Sequence, residues 1–480
     1  MRSAAAPLPR APFVDWQIGV FLVSAILVGA AATFISVRVL LFMSIALVLS
    51  GPLVHRAARR QFDLLEPLFI GNIALGVMFL ARPIATVAYD EMAYEGRFDI
   101  EPTFDRVLVI ALVGIVTYTV GYSLGVGPTV SRRLPAPPQQ LHRDTASLAA
   151  LFLVGLAAVG YAIYALRAGF SPLSVFSGGG LVTGGDTSTA YFYMTPFLVL
   201  PAALLLMTAG FSGRRRAPTI LVLVFAVLVF SSVASAGQRL IVLLLLGSLV
   251  AYPMLRNNWR PGPLLILALL PTLLVGTVAM RDLQLGGGPG ALADALLATA
   301  RDPLASVRRL LTENDTEMFS AFAVELQVVP AELPYQPGSA VTTLLAHPLP
   351  RILWPAKPRA SDDVMNVYID ESRRFGDRGR AFSLLGGFYY DSGVFGVAAG
   401  MFIIGIGLRT FYEYFRVHAD SDVARMLFAA GLPLLTVVLL RGNLTHTFSF
   451  VPFTMLPLVA VAWVAARRTA REPAGREFSR

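Results

Sequence analysis

Read by its hydrophobic and polar positions, the chain alternates long apolar runs with short polar connections and breaks that rhythm once. Twelve apolar stretches are each about long enough to cross ~30 Å of hydrocarbon at about 1.5 Å per residue. Six come early: Trp16–Ser36, Val39–Val54, Leu64–Ala88, Phe104–Val126, Ser147–Leu166 and Tyr191–Phe211. Six follow: Thr219–Ala236, Leu240–Leu255, Pro263–Met280, Ser383–Leu408, Val423–Leu440 and Phe448–Ala466. The pattern predicts an all-α polytopic membrane protein with about 12 transmembrane helices and a large helical loop between helices 9 and 10. Residues 1–280 then carry helices 1 to 9, residues 281–383 the loop, and residues 384–480 the last three helices and a tail.

The loop is roughly a hundred residues, where an ordinary connection is a handful. Within it Gly290–Ala300, Pro303–Thr312 and Thr316–Val329 repeat apolar residues at three- and four-residue spacing. That spacing predicts amphipathic helices lying on the outer surface. Asp302, and Asn314 or Asp315, stand where N-caps belong. From Pro330 onward the prolines of VPAELPYQPG and AHPLPRILWPAKP predict a rigid, irregular path. The Gly-rich SGGGLVTGGDTST within Arg167–Ala190 reads as a loop, and no internal repeat stands out.

Charge sets the orientation. Arginines gather in alternate connections: Arg56, Arg59 and Arg60; Arg132, Arg133 and Arg143; Arg214, Arg215 and Arg216; Arg256 and Arg260; Arg416; and Arg467, Arg468 and Arg471 in the tail. The connection between them at 90–101 is acidic. Positive charge marks the cytoplasmic side, so both termini are expected there and the long loop outside. Composition agrees: 55% hydrophobic, 14% charged, mean hydropathy +0.65. The net charge of +9 rests on arginine, Lys357 being the only lysine. Topology accounts for it, with no call for nucleic acid. With no cysteine, thiolate metal sites, disulfides and cysteine nucleophiles are excluded. Asp362 and Asp363 are adjacent, a spacing that makes no metal site.

Several residues suggest a family. Tyr335-x-x-Gly338, the apolar stretch up to Pro350-Arg351, Trp354-Pro355-x-Lys357-Pro358, and Phe388-Tyr389-Tyr390-Asp391-x-Gly393 with Gly396 form one set. With the tight outer turn Gly237-Gln238-Arg239, they resemble the Wzy-type O-antigen and oligosaccharide repeat-unit polymerases. The resemblance runs from Ser231 to Arg441; the earlier spans are similar only in number and hydropathy. One departure is Gly387, where many members of that family carry Glu, and another is Asp391, near where they carry Asn.

The resemblance implies a glycosyltransferase of the bacterial inner membrane, its site facing the periplasm, that polymerises repeat units carried on polyprenyl diphosphate. Its donor and acceptor are both polyprenyl-diphosphate-linked glycans. Its neighbours are membrane lipids, a chain-length regulator and a flippase. It implies inversion at the anomeric centre without metal or other cofactor.

That chemistry asks for cations beside a leaving diphosphate, and guanidinium groups grip phosphate oxygens in pairs. An arginine costs about 2.5–3.5 kcal/mol at the centre of a membrane helix, so one flanked by apolar spans calls for a partner. Arg239, Arg441 and Arg82 meet this description, and Arg351 and Lys357 lie in the proline-rich segment, which would present them rigidly; each reads either as a diphosphate ligand or as a cation reaching the interface. Arg281, beside Asp282, reads rather as a local ion pair. A base must also take a proton from the acceptor hydroxyl. His347, Asp391 and Glu325 are the leading candidates, with Glu317, Asp362 and Asp363 behind them. A histidine alone in a helical stretch reads equally as structural.

Other functions share parts of this pattern. An O-antigen ligase shares the layout and differs only in its acceptor. Asp90-Glu91 invites comparison with enzymes using a lipid monophosphate donor, although here the pair follows the third span. A flippase or transporter would carry polar residues deep in many spans, whereas here polarity concentrates in the loop. A membrane scaffold would leave the outer arginines dispensable.

Overall fold

A computed structural model describes residues 36–59, 63–167, 194–209, 239–259, 301–312, 316–347, 353–370 and 381–471, with positions 192, 297 and 349. It is almost wholly helical. Helices α1 (Val37–Ala58), α2 (Pro67–Ala88), α3 (Glu101–Ser123), α5 (Arg143–Arg167), α12 (Ser383–Val417) and α13 (Asp422–Arg441) are long and apolar enough to cross a membrane. So is the span Leu444–Ala465, made of α14 (Leu444–Thr454) and α15 (Leu456–Arg471). These seven correspond to seven of the twelve expected spans. Two more expected spans are shorter apolar helices, α6 (Thr195–Ala209) and α7 (Arg239–Arg256). The expected spans Thr219–Ala236 and Pro263–Met280, and Trp16–Ser36 apart from Ser36 itself, lie outside the described residues. A short helix α4 (Val126–Ser131) and a two-stranded hairpin, β1 (Ala93–Tyr94) against β2 (Phe98–Asp99), occupy opposite ends of α3.

The central pairing is α3 along α12, and glycine makes it possible. A Cβ on Gly405 would stand 2.2 Å from the Tyr118 carbonyl oxygen, and one on Gly121 2.2 Å from that of Phe402. Backbones this close exclude any side chain at either position. Gly405→Val is therefore expected to separate the two helices, lowering stability by about 1–3 kcal/mol or more. Gly407→Val, with open space around it, is the control. Thermal unfolding in detergent should show a lower midpoint for the first variant and no change for the second.

Around this pair the core forms two regions. One packs α1, α2 and the buried parts of the loop against α3 and α12. The other packs α5, α6 and α7 against α13, α14 and α15. Two spans carry a π-turn near one end, Val77–Ala81 just before Arg82 and Leu434–Val438 just before Leu439–Arg441.

Charged residues distinguish the two ends of the bundle. At the arginine-rich end, Arg56 and Arg409 both reach the carboxylate of Glu66, Arg409 at 3.4 Å, and the Tyr122 hydroxyl donates to it at 2.9 Å. Arg409 and Arg416 hold Glu413 at 2.6 and 3.0 Å, and Tyr412 donates to Asp63 at 2.7 Å.

At the other end sit four helices from the polar segment: α8 (Pro303–Thr312), α9 (Met318–Val328), α10 (Ser339–Ala346) and α11 (Ser361–Ile369). α8 packs on α2, α9 on α3 and α12, α10 on α12 and α14, and α11 on α12. As expected, Asp302 caps α8, its Oδ1 accepting from the Ala305 amide at 2.9 Å. Gly290–Ala300 and the caps Asn314 and Asp315 fall outside the described residues, except position 297.

One expectation is corrected. α9 does not lie on the surface: its residues are buried, Gln327 only partly. Phe319 stacks edge-on with Phe104 and Phe322 with Tyr389, while Thr103 donates to the Ala323 carbonyl at 2.9 Å. The apolar residues that read as one face of an amphipathic helix are here buried together with the rest, because α3, α12 and β1 pack around it.

Candidate functional site

Where α10 and α11 meet the ends of α12 and α14, polar and apolar groups together surround a small cavity. Ser339, Ala340 and Thr343 of α10 form one wall, and Ala360 with Ser361 a second. Leu384, Gly387 and Phe388 of α12 and Asn443 with Thr445 complete it. Its volume of about 20 Å³ admits one water. Gly387, the position that departs from the resembled family, faces this cavity without a side chain.

A carboxyl group stands behind that wall. Glu325 on α9 is fully buried, and its Oε2 lies 2.5 Å from where a Cβ on Gly386 would be. Among the described residues neither of its oxygens has a hydrogen-bond partner. Burial, with Asp362 nearby, pushes its pKa well above the usual carboxylate range, so the neutral acid is the stable form. Asp362, in the first turn of α11, is the second member of the pair. Burial raises its pKa to about 7, opposed by a hydrogen bond from the Asn443 side chain and one from Ser361, whose Oγ lies 3.4 Å away. The two environments differ in polar contacts: among the described residues Glu325 has no hydrogen-bond partner, whereas Asp362 has the Asn443 and Ser361 side chains and its own backbone amide.

Asn443 owes its position to the sequence Arg441-Gly442-Asn443. The chain leaves α13 at Arg441, and Asn443 caps α14 by accepting the His446 amide at 2.7 Å. With Oδ1 engaged in the cap, its amide nitrogen serves Asp362.

The candidates from sequence divide into three sets. Glu325, His347, Lys357 and Arg441 converge near the cavity. Arg441 and His347 both act electrostatically on His446, three residues beyond Asn443. Lys357 donates to the backbone carbonyls of His347 at 2.8 Å and Leu349 at 3.0 Å. Burial and then the Lys357 charge lower the pKa of His347, favouring the neutral imidazole.

Asp391 and Arg82 form the second set, each engaged in holding a loop helix. The Asp391 carboxylate accepts from the Ala340 amide at 3.1 Å, the Ser339 hydroxyl at 3.4 Å and the Ser392 hydroxyl at 2.8 Å, fixing the start of α10. Arg82 donates to the Leu311 carbonyl at 2.6 Å and faces Glu91 at 3.9 Å, fixing the end of α8. The third set lies outside the described residues: Arg351, and the side chain of Arg239, whose backbone begins α7.

Asn443 and Ser361 were missed. The signal for Asn443 was present, since asparagine before a helical run is an N-cap pattern; nothing local pointed Ser361 toward Asp362. Among the described residues no three His, Asp or Glu side chains gather as metal ligands do. No family model, curated protein or solved structure matches the chain. The site is therefore interpreted from its own chemistry.

Proposed function

We propose that the chain is a membrane glycosyltransferase that polymerises polyprenyl-diphosphate-linked oligosaccharide repeat units at the outer face of the bacterial inner membrane. The observation that carries this reading is the carboxyl pair Glu325 and Asp362 behind a cavity approached by Arg441, His347 and Lys357. A base poised near neutrality beside cations suits transfer of a sugar from a diphosphate to a hydroxyl.

In this reading the acceptor hydroxyl oxygen attacks the anomeric carbon opposite the diphosphate. The new C–O bond forms as the old one breaks, and the diphosphate leaves with the bonding electrons. Asp362 takes the hydroxyl proton. Glu325 stays protonated, which spares Asp362 a neighbouring negative charge. Arg441 and Lys357 stabilise the departing diphosphate, and Arg239 and Arg351 keep only the diphosphate role that the sequence suggests for them. Asp391 and Arg82 position the loop, and His347 is a second proton acceptor. Both termini are assigned to the cytoplasm. Partners in the reading are the lipid-linked donor and acceptor, a flippase and a chain-length regulator.

The test is deletion of the coding sequence followed by analysis of surface glycan. A single repeat unit in place of a ladder supports the polymerase. Full-length glycan retained on polyprenyl diphosphate would replace it with a ligase, and an unaltered ladder would remove the proposal.

A further inference from the structure

We propose that α10, with Leu349 and Leu353 beyond it, lies within the outer leaflet of the bilayer, Val341, Leu345, Leu349 and Leu353 being in contact with lipid acyl chains. Those four side chains recur every fourth residue and are all exposed, Leu345 at 73% and Leu353 at 74%. On the other side of α10, Thr343 and Ala346 are buried and Ser339, Ala340 and Thr343 line the cavity. The helix thus has one face against the cavity and an apolar face that no described residue covers.

Three observations identify the occupant as lipid. The first is depth. Arg409 lies in the charged network at the opposite end of α12, and about 20 helical residues cross the hydrocarbon. Unbroken helix runs from Arg409 back to Val394, roughly 24 Å at about 1.5 Å per residue, and just past the non-helical Ser392 and Gly393 stands Asp391, the residue that caps α10. The N-terminus of α10 therefore sits at the hydrocarbon boundary. Its other end is tied to the start of a span, where Thr445 donates to the Thr343 hydroxyl at 3.0 Å.

The second is continuity. Val394 and Phe395 on α12 and Phe448 on α14 are exposed near the same level, Phe395 at 78%, so the stripe extends the lipid-facing belt of the spans. The third is the treatment of polar groups. Unpaired backbone carbonyls are penalised at membrane depth, and the Lys357 ammonium caps those of His347 and Leu349. Exposed Trp354 next to the stripe is the residue type that favours the headgroup boundary. This inference does not depend on the catalytic reading. It makes α10 a wall between acyl chains and cavity, reached from the leaflet side.

The chain has no cysteine, so single nitroxide labels can be placed at Val341→Cys, Leu345→Cys and Leu353→Cys, with Ala331→Cys as the water-facing reference. Each full-length variant is reconstituted into phosphatidylcholine/phosphatidylglycerol vesicles, and collision with oxygen is compared with collision with a water-soluble nickel chelate. The expected result is an oxygen-to-nickel ratio several-fold higher at 341, 345 and 353 than at 331. Ratios equal to that at 331 would overturn the proposal. Shielding from both probes would overturn it too, by showing protein cover from a second copy or another part of the chain. Three labels on two segments answer independently, so the failure of one variant to fold leaves the test intact.

Discussion

An Asp362→Asn variant is expected to lose polymer formation by on the order of 10²–10⁴-fold while keeping its fold, the usual range for removing a positioned base. The amide retains the shape and the neutral charge of the protonated acid, so what it removes is proton acceptance. The wild-type pH profile carries the same assignment. In the proposed reaction Asp362 works as the carboxylate, so activity should be present above its pKa of about 7 and fall as the pH drops below it. Asn443→Ala removes a hydrogen bond that favours the charged form, so the acidic limb should move to higher pH. That variant also loses the cap on α14, costing about 1 kcal/mol, and is best assayed at reduced temperature. Glu325→Gln imitates the neutral acid that burial already favours, and should leave the limb where it is. Polymer made in vitro from lipid-linked repeat units, measured from pH 5 to 9, checks all three. Full activity in Asp362→Asn would end its assignment as the base.

What the sequence disclosed depended on whether the signal was local. Apolar length marked α1, α2, α3, α5, α12, α13 and the last span, because a membrane helix satisfies its own backbone and needs no partner to be recognised. The cap at Asp302 was legible for the same reason: donor and acceptor are neighbours in sequence. The burial of α9 was not, since its enclosure comes from α3, α12 and β1, which are distant in the chain. Its three- and four-residue apolar spacing is the pattern of a surface helix as well. The site followed the same rule. Arg441, His347, Lys357 and Glu325 were picked out one at a time as cations and titratable groups. That they share one region, and that Asp391 instead fixes α10, depended on packing. The preference for Asp362 over its neighbour Asp363 arises from Asn443, a contact that no spacing within the loop specifies.

The largest stability change is expected at the other end of the molecule, from Glu66→Ala. Glu66 is 2% exposed and receives Arg56, Arg409 and the Tyr122 hydroxyl. Truncating it leaves two guanidinium groups facing each other without their shared carboxylate, and breaking a buried pair in this way costs about 3–5 kcal/mol. Arg409 keeps Glu413 at 2.6 Å, which holds the expected value at the lower end of that range. Glu66→Gln preserves an acceptor for Tyr122 and loses only charge, so it should fall between wild type and the alanine variant. Replacing Glu66, Arg56 and Arg409 together by Leu, Met and Leu should recover most of the loss, because a packed apolar set avoids the desolvation of three charges. Thermal unfolding in detergent ranks the four proteins. If Glu66→Ala unfolds with wild type, the network is hydrated and contributes little. The folded fraction of Glu66→Ala should meanwhile keep the acidic limb near pH 7, since Asp362 sits at the far end of α3 and α12. A limb that moved with it would mean the two ends are coupled through the helix pair held together at Gly121 and Gly405.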